Sequence, residues 1–188
     1  MAPKVLSIRP VYNGWAKISI ATVQDDRGGT FERLMEDHGG GVCVLPYDVE
    51  RKTAILVRQF RAPVFTTAGR TQLLETVAGL TDGEPPENAM LREAFEETGL
   101  RLRTPDHVAT VWTMPGISTE RMDMFLARYE ASDRTGRGGG NAGEHEEITI
   151  EELPLAQLAA MTDAGQIEDM KTFCLVQTLR LRRPELFR

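Results

Sequence analysis

A β-rich stretch that passes through a glycine loop into an acidic helix restricts this chain more than any other part of it. Residues 72–77 read as a strand, and residues 79–100, GLTDGEPPENAMLREAFEETGL, follow as loop and helix. At about 100° of rotation per residue, Leu91, Ala94, Phe95 and Thr98 fall on one side of that helix. Glu93, Glu96 and Glu97 share the opposite stripe, which carries no basic residue. The apolar side is expected to pack and the acidic side to stay available. Glu93 and Glu97 are four residues apart, where like charges cost a helix roughly 0.2–0.5 kcal/mol. A hard divalent cation converts that repulsion into binding, because Mg²⁺ takes oxygen ligands from one or two carboxylates together with substrate phosphates. A solvated acidic face would present the same cluster, so the surrounding residues have to decide between the two.

The 188 residues, 41% of them hydrophobic, are enough for one well-buried core and short for two. The net charge of −6 argues against a nucleic-acid or anionic-membrane surface, since both need clustered Lys and Arg. A polyanionic substrate would need local neutralisation by metal and a few arginines. Cys43 and Cys174 lie in apolar stretches outside any metal-ligand spacing. Both are expected as buried free thiols in a reducing cytoplasm. The start MAPKVLSIRP lacks a signal-peptide apolar stretch, and no apolar run approaches the 18 or so residues of a membrane span. The expected location is the cytoplasm.

Along the chain, VLSIRPVY and WAKISIATV alternate with period two and end at DDRGG, as in a two- or three-strand antiparallel unit. GGGVCVLPYD and TAILVRQFR then suggest a hairpin, with its turn at residues 47–52. VATVWTM and MDMFLARYE read as two more strands, flanking PGISTER. Residues 132–147 are too glycine-rich and polar to pack and are expected as a loop. ITIEELP reads as a strand, LAQLAAMTDAG as a helix, and EDMKTFCLVQTLRLR as a second helix with Met170, Phe173, Cys174 and Gln177 near one face. Strands with helices inserted at two places point to a mixed α/β sandwich.

The segment from Gly79 resembles the Nudix box, G-x5-E-x7-R-E-U-x-E-E-x-G-U with U aliphatic. Arg92, Glu93, Ala94, Glu96, Glu97, Gly99 and Leu100 match its second half, whereas the loop from Gly79 to Glu84 is one residue short. LVRQFR, QLLETVAGL, MPGISTE, ELP and GQIEDMKT extend the likeness to the nucleotide-sugar branch, and most to the bacterial GDP-mannose hydrolase group; ADP-ribose pyrophosphatases share many of these elements. The resemblance implies the α/β/α sandwich with a mixed sheet. It also implies an amino-terminal β unit over residues 1–40 that serves dimerisation and nucleotide contact, followed by a hydrolase domain over residues 41–188. Such a chain is expected to be a homodimer.

Carried over residue by residue, the resemblance places the metal ligands at the Ala78 carbonyl and at Glu93, Glu96 and Glu97, beside loop Gly79. In the distal acidic loop Glu146 fits a further ligand and Glu144 a candidate base, with Glu97 also in the catalytic set. Arg61, Glu120 and Lys171 match substrate contacts, and Arg33 would approach the nucleotide from a neighbouring subunit. Arg61 reads equally well as a surface arginine at a strand end. Trp15 reads as a half-buried core residue or as a platform for a base, and Arg58 as a sheet-edge ion pair. His38, His107 and His145 sit in separate loop-like contexts without i, i+4 spacing and read as structural.

The implied reaction is Mg²⁺-dependent, or Mn²⁺-dependent, hydrolysis of the pyrophosphate bond of a nucleoside diphosphate sugar, GDP-mannose first. An ADP-ribose pyrophosphatase is the alternative enzyme. A non-catalytic nucleotide-sensing module is the alternative of another class, although such modules generally lose box glutamates.

Overall fold

A computed structural model describes residues 2–141, 143 and 147–188. The roles expected of Glu144 and Glu146, and the reading of His145, fall outside the described residues. β1 (Lys4–Asn13), β2 (Lys17–Gln24) and β3 (Thr30–Asp37) form an antiparallel sheet in that order. Asp25 makes the β2–β3 turn, its Oδ1 accepting from the amides of Arg27 (2.9 Å) and Gly29 (2.7 Å).

The second sheet has seven strands. Its path is β10 (Thr149–Pro154), β5 (Thr53–Gln59), β4 (Gly41–Asp48), β9 (Arg121–Arg128) and β8 (Pro105–Trp112). Two short strands, β6 (Leu73–Glu75) and β7 (Val77–Leu80), pair with β5 and β4 respectively. The β4–β9 pairing is parallel and the others are antiparallel, so the sheet is mixed.

All of β4 is buried, and its alternating side chains feed two separate cores. Cys43, Leu45 and Tyr47 meet Leu155 and Leu158 of α3 (Leu155–Asp163) and Leu175, Val176 and Leu179 of α4 (Met170–Arg182). Val42 and Val44 meet Met90 and Ala94 of α2 (Pro86–Thr98), with Leu100 and Phe125. Helices therefore cover both faces of the sheet. Each fully buried aliphatic or aromatic side chain stabilises such a layer by about 1.5–3 kcal/mol.

Several expectations need correction. The run 72–77 is not one strand: at Thr76 the chain leaves β5 for β4, its hydroxyl bonded to the Val44 carbonyl and its amide to Thr172 Oγ1 at 2.6 Å. A short helix, α1 (Ala62–Ala68), follows β5 with no buried residue, so no apolar period announces it. On α4, Thr172, Leu175, Val176 and Leu179 face the core, while Met170, Phe173 and Cys174 are exposed. Asp169 caps that helix through Thr172 N at 2.9 Å and Thr172 Oγ1 at 2.6 Å, which turns Thr172 inward. Trp15 is 77% exposed and is no core residue.

The glycine-rich loop does pack. Gly139 N donates to Glu97 O at 2.8 Å, Gly140 N to Glu96 O at 3.1 Å, and Gly136 N to Gly99 O at 3.0 Å. These bonds satisfy carbonyls at the end of α2 that have no partner within the helix. Only glycine allows so close an approach: a Cβ on Gly138 would stand 2.7 Å from Glu97 O.

Candidate active site

The end of β7 and one side of α2 meet at Gly79. The Glu93 side chain lies directly over this glycine, and a Cβ there would stand 2.0 Å from the Glu93 carboxyl carbon. Ala78, just before it, pairs with Cys43 of β4, so its position is set by the sheet. Four residues beyond Glu93, Glu97 is 1% exposed. This corrects the helical division expected from periodicity. Glu97 lies with Ala94 and Thr98 on the packed side, and Phe95 is exposed, because the glycine-rich loop covers the helix end.

The stripe is not free of basic residues in space. Arg92 Nη1 bonds Glu93 Oε1 at 2.7 Å and Glu96 Oε2 at 3.3 Å, and Nη2 bonds the Leu80 carbonyl at 3.0 Å. The same guanidinium approaches Asp82 (3.6 Å) and Glu84 (3.5 Å), which ties the glycine loop to α2. Burial opposes its charge, but the surrounding carboxylates outweigh that and raise its pKa.

These groups border a cleft of about 940 Å³, within the range of small-molecule sites. Ala78, Gly79, Asp82, Arg92 and Glu93 form one wall. Arg61, Asp169 and Lys171 form a second, and Trp15, His38, Thr113 and Glu120 a third. Arg61 and Lys171 share an anchor in Glu75, which is 2% exposed. Arg61 grips it with Nε at 2.8 Å and Nη2 at 3.1 Å, and Lys171 Nζ reaches it at 3.2 Å while bonding Asp169 Oδ1 at 2.7 Å. Burial disfavours the Lys171 ammonium, yet Asp169 and Glu75 more than compensate and its pKa is raised. Two anchored cations therefore line the same cleft as Glu93.

Glu120 has room because Gly41 faces it; a Cβ there would stand 2.8 Å from Glu120 Oε1. Arg33 does not line the cleft of its own chain and lies on β3 with its guanidinium 4.3 Å from the Phe31 ring centroid. Glu96 is also outside the cleft lining and sits against Arg92. Arg58 pairs with Glu151 at 2.5 Å, as a sheet-edge ion pair should. His107 bonds Asp123 at 2.9 Å away from the cleft. His38, read from sequence as structural, lines the cleft, as do Asp169 and Trp15, for the last of which the sequence leaves the base-platform reading open; no spacing signal marks His38 or Asp169, because the segments that gather them are far apart in the chain.

This geometry is joined by comparison with known proteins. Residues 37–173, well over half of the chain, match the NUDIX domain model. The chain belongs to the Nudix family. It is 38% identical to the GDP-mannose pyrophosphatase of Cronobacter sakazakii (strain ATCC BAA-894) over 152 residues, 80% of this chain and 78% of that one. It is 39% identical to the same-named protein of Citrobacter koseri over 149 residues, covering 79% and 77%. A solved structure described as an ADP compounds hydrolase superposes with a TM-score of 0.79 at 16% identity, covering 98% of this chain and 96% of the other. At that identity the likeness speaks for the Nudix fold alone.

Nudix hydrolases generally depend on a divalent metal, and the residues here suit one. Among the described residues no group of three His, Cys, Asp or Glu side chains is arranged as a metal site. The donors that the resemblance names are the Ala78 carbonyl and the Glu93 and Glu97 carboxylates, all hard oxygens; Glu93 lies over Gly79 next to Ala78, while Glu97 is buried outside the cleft lining.

Proposed function

We propose that this Nudix protein hydrolyses the pyrophosphate bond of a nucleoside diphosphate sugar, GDP-mannose first, to a nucleoside monophosphate and a sugar phosphate. One observation carries the reading. A carboxylate seated on a glycine lines, together with two anchored cations, a cleft large enough for a nucleotide, and a second carboxylate is buried one helical turn on, outside the cleft lining. The names of the similar GDP-mannose pyrophosphatases agree with it.

In this reading Ala78, Glu93 and Glu97 hold Mg²⁺, or Mn²⁺ in its place, with Glu96 beside them. When bound, the ion polarises a phosphoryl oxygen and lowers the pKa of water. Arg61 and Lys171 bind the diphosphate oxygens, and their shared Glu75 limits how far they can wander, so less order is lost on binding. Arg92 fixes the glycine loop against α2 and holds the Glu93 carboxylate that sits over Gly79. Glu120 orients the substrate from the third wall. The sequence resemblance assigns the proton acceptor to Glu144 and a further ligand to Glu146. Residues 1–40 would act as a dimerisation unit that carries Arg33 to a partner's nucleotide, ahead of a hydrolase domain over residues 41–188. The apolar surface that β1 leaves open supports that dimer, and the buried free thiol of Cys43 suits a cytoplasmic location.

Turnover of GDP-mannose, ADP-ribose and ADP-glucose with Mg²⁺ tests the proposal, with kcat/KM deciding among them. Glu97→Gln should lower Mg²⁺-dependent turnover by at least about a hundredfold, the scale of losing one transition-state electrostatic contact, without changing the circular dichroism spectrum. Wild-type rates in that variant would remove Glu97 from the metal site. Failure of all three substrates, with unchanged product levels and tight binding, would instead indicate a sensing module.

A further inference from the structure

His38 stands where the two sheets are joined. Glu36 N donates to Ile117 O at 2.8 Å and Thr119 N to Glu36 O at 2.9 Å, which ties β3 to the segment before β9. Each ring nitrogen of His38 faces a carboxylate: Nδ1 is 2.5 Å from Glu36 Oε1, and Nε2 is 3.3 Å from Glu120 Oε1. Both nitrogens can donate only in the imidazolium form. The outer oxygens of the two glutamates are also held, Glu36 Oε2 by Ser118 Oγ at 2.7 Å and Glu120 Oε2 by Thr113 Oγ1 at 2.5 Å. Over the face of the imidazole lies Trp15 from the β1–β2 turn, with ring centroids 5.1 Å apart and planes 15° from parallel.

We propose that His38 is a positioning residue of this site: as an imidazolium it holds Glu120 by charge and Trp15 by its ring face, and so shapes and partly neutralises the wall against which a nucleoside diphosphate seats. The inference rests on the nucleotide-sugar reading above. Its physical basis is charge. With His38 neutral, Glu36 and Glu120 give the wall two negative charges against an incoming polyanion, and with His38 protonated the net is one. The other charged group at this corner, Asp37, points to Thr119 Oγ1 at 2.9 Å and lies opposite Lys17 of β2. Burial alone would lower the His38 pKa, but its bonds to Glu36 and Glu120 outweigh burial and raise it. The sign follows. The contribution is complete below the ordinary histidine value of about 6.5 and is lost as pH rises through the higher folded value.

The test combines a binding, a kinetic and a spectroscopic measurement over roughly pH 5.5–8.5, the range in which a histidine changes charge. GDP-mannose carries no phosphate that titrates in this range, so a pH effect belongs to the protein. Calorimetric Kd without divalent ion, and KM with Mg²⁺, should both weaken about five- to tenfold toward the alkaline end, as expected for losing one partly screened charge contact, while kcat stays within about twofold. His38→Gln should start at the weaker value and show no such titration. With Trp112→Phe as background, Trp15 emission should titrate in the same window and become pH-independent on adding His38→Gln. Affinity insensitive to pH and to the substitution, or Trp15 emission that does not titrate, overturns the inference; His38→Asn repeats the comparison if the glutamine variant does not fold. Titrating affinity and emission without any turnover would sustain His38 and remove only the hydrolytic reading.

Discussion

At Glu97 the residue type gave one message and its position another. A glutamate in an acidic stripe reads as solvated, yet the loop that folds over the end of α2 buries it to 1% exposure. Burial of a carboxylate opposes its charged form, so the covering loop, and not the residue type, sets the surroundings of Glu97. The two cysteines make a second contrast. Both lie in apolar stretches, but Cys43 is buried in β4 with its thiol pushed up to about 12 by burial, whereas Cys174 faces outward from α4, its pKa raised by the more limited burial it has. A thiol reagent at neutral pH should therefore label one cysteine per native chain, and the second only after denaturation. Mass spectrometry of the labelled peptides checks this; modification of Cys43 in the native protein would contradict the burial shown for β4.

Among the elements, α2 depends most on how it ends. Gly99 sits at φ +74° as its cap, donating to Phe95 O at 2.8 Å, and a Cβ there would stand 2.3 Å from the backbone oxygen of Gly136. Gly69 ends α1 in nearly the same conformation, φ +67°, but with open space around it. Alanine at either position bears the left-handed cost of about 1–2 kcal/mol, which corresponds to roughly 2–8 °C in Tm for a chain of this size. Gly99→Ala should lower Tm by clearly more than Gly69→Ala, because it also pushes the glycine-rich loop off the helix. Equal shifts in thermal unfolding would mean that the loop does not bear on α2. The same docking explains how Gly136, Gly139 and Gly140 pack despite a glycine-rich, polar sequence: glycines that contribute no side-chain burial still bring backbone donors close to bare helix carbonyls. On α4, the alternative set Thr172, Leu175, Val176 and Leu179 has the i, i+3, i+4, i+7 spacing too. Capping by Asp169 decided between two faces that periodicity alone left comparable.

At the scale of the molecule, the amino-terminal sheet has an open apolar side. Val5 and Ile8 of β1, set opposite Val23 and Ala21 of β2 and so on one face, are each more than half exposed, a combination that in other proteins marks an interaction surface. If a second copy covers it, Ile8→Glu should shift the sedimentation mass toward the monomer while leaving thermal stability of the larger sheet nearly unchanged. A wild-type protein that sediments as a monomer would remove the dimer from the proposal.

The residues alone carried the Nudix box, the alternation of strands and helices, and the pairing of acidic helix with glycine loop, since each of these is a local pattern of spacing and propensity. The family resemblance also named Arg61, Glu120 and Lys171, all of which line the cleft. Tertiary structure alone decided which side of α2 and of α4 is buried, that Arg92 stands among the glutamates, and that Trp15 and His38 reach the same wall as Glu120. Those outcomes depend on contacts between segments distant in the chain, where a hydrogen bond or a covering loop outweighs the small differences in local preference that a sequence can express.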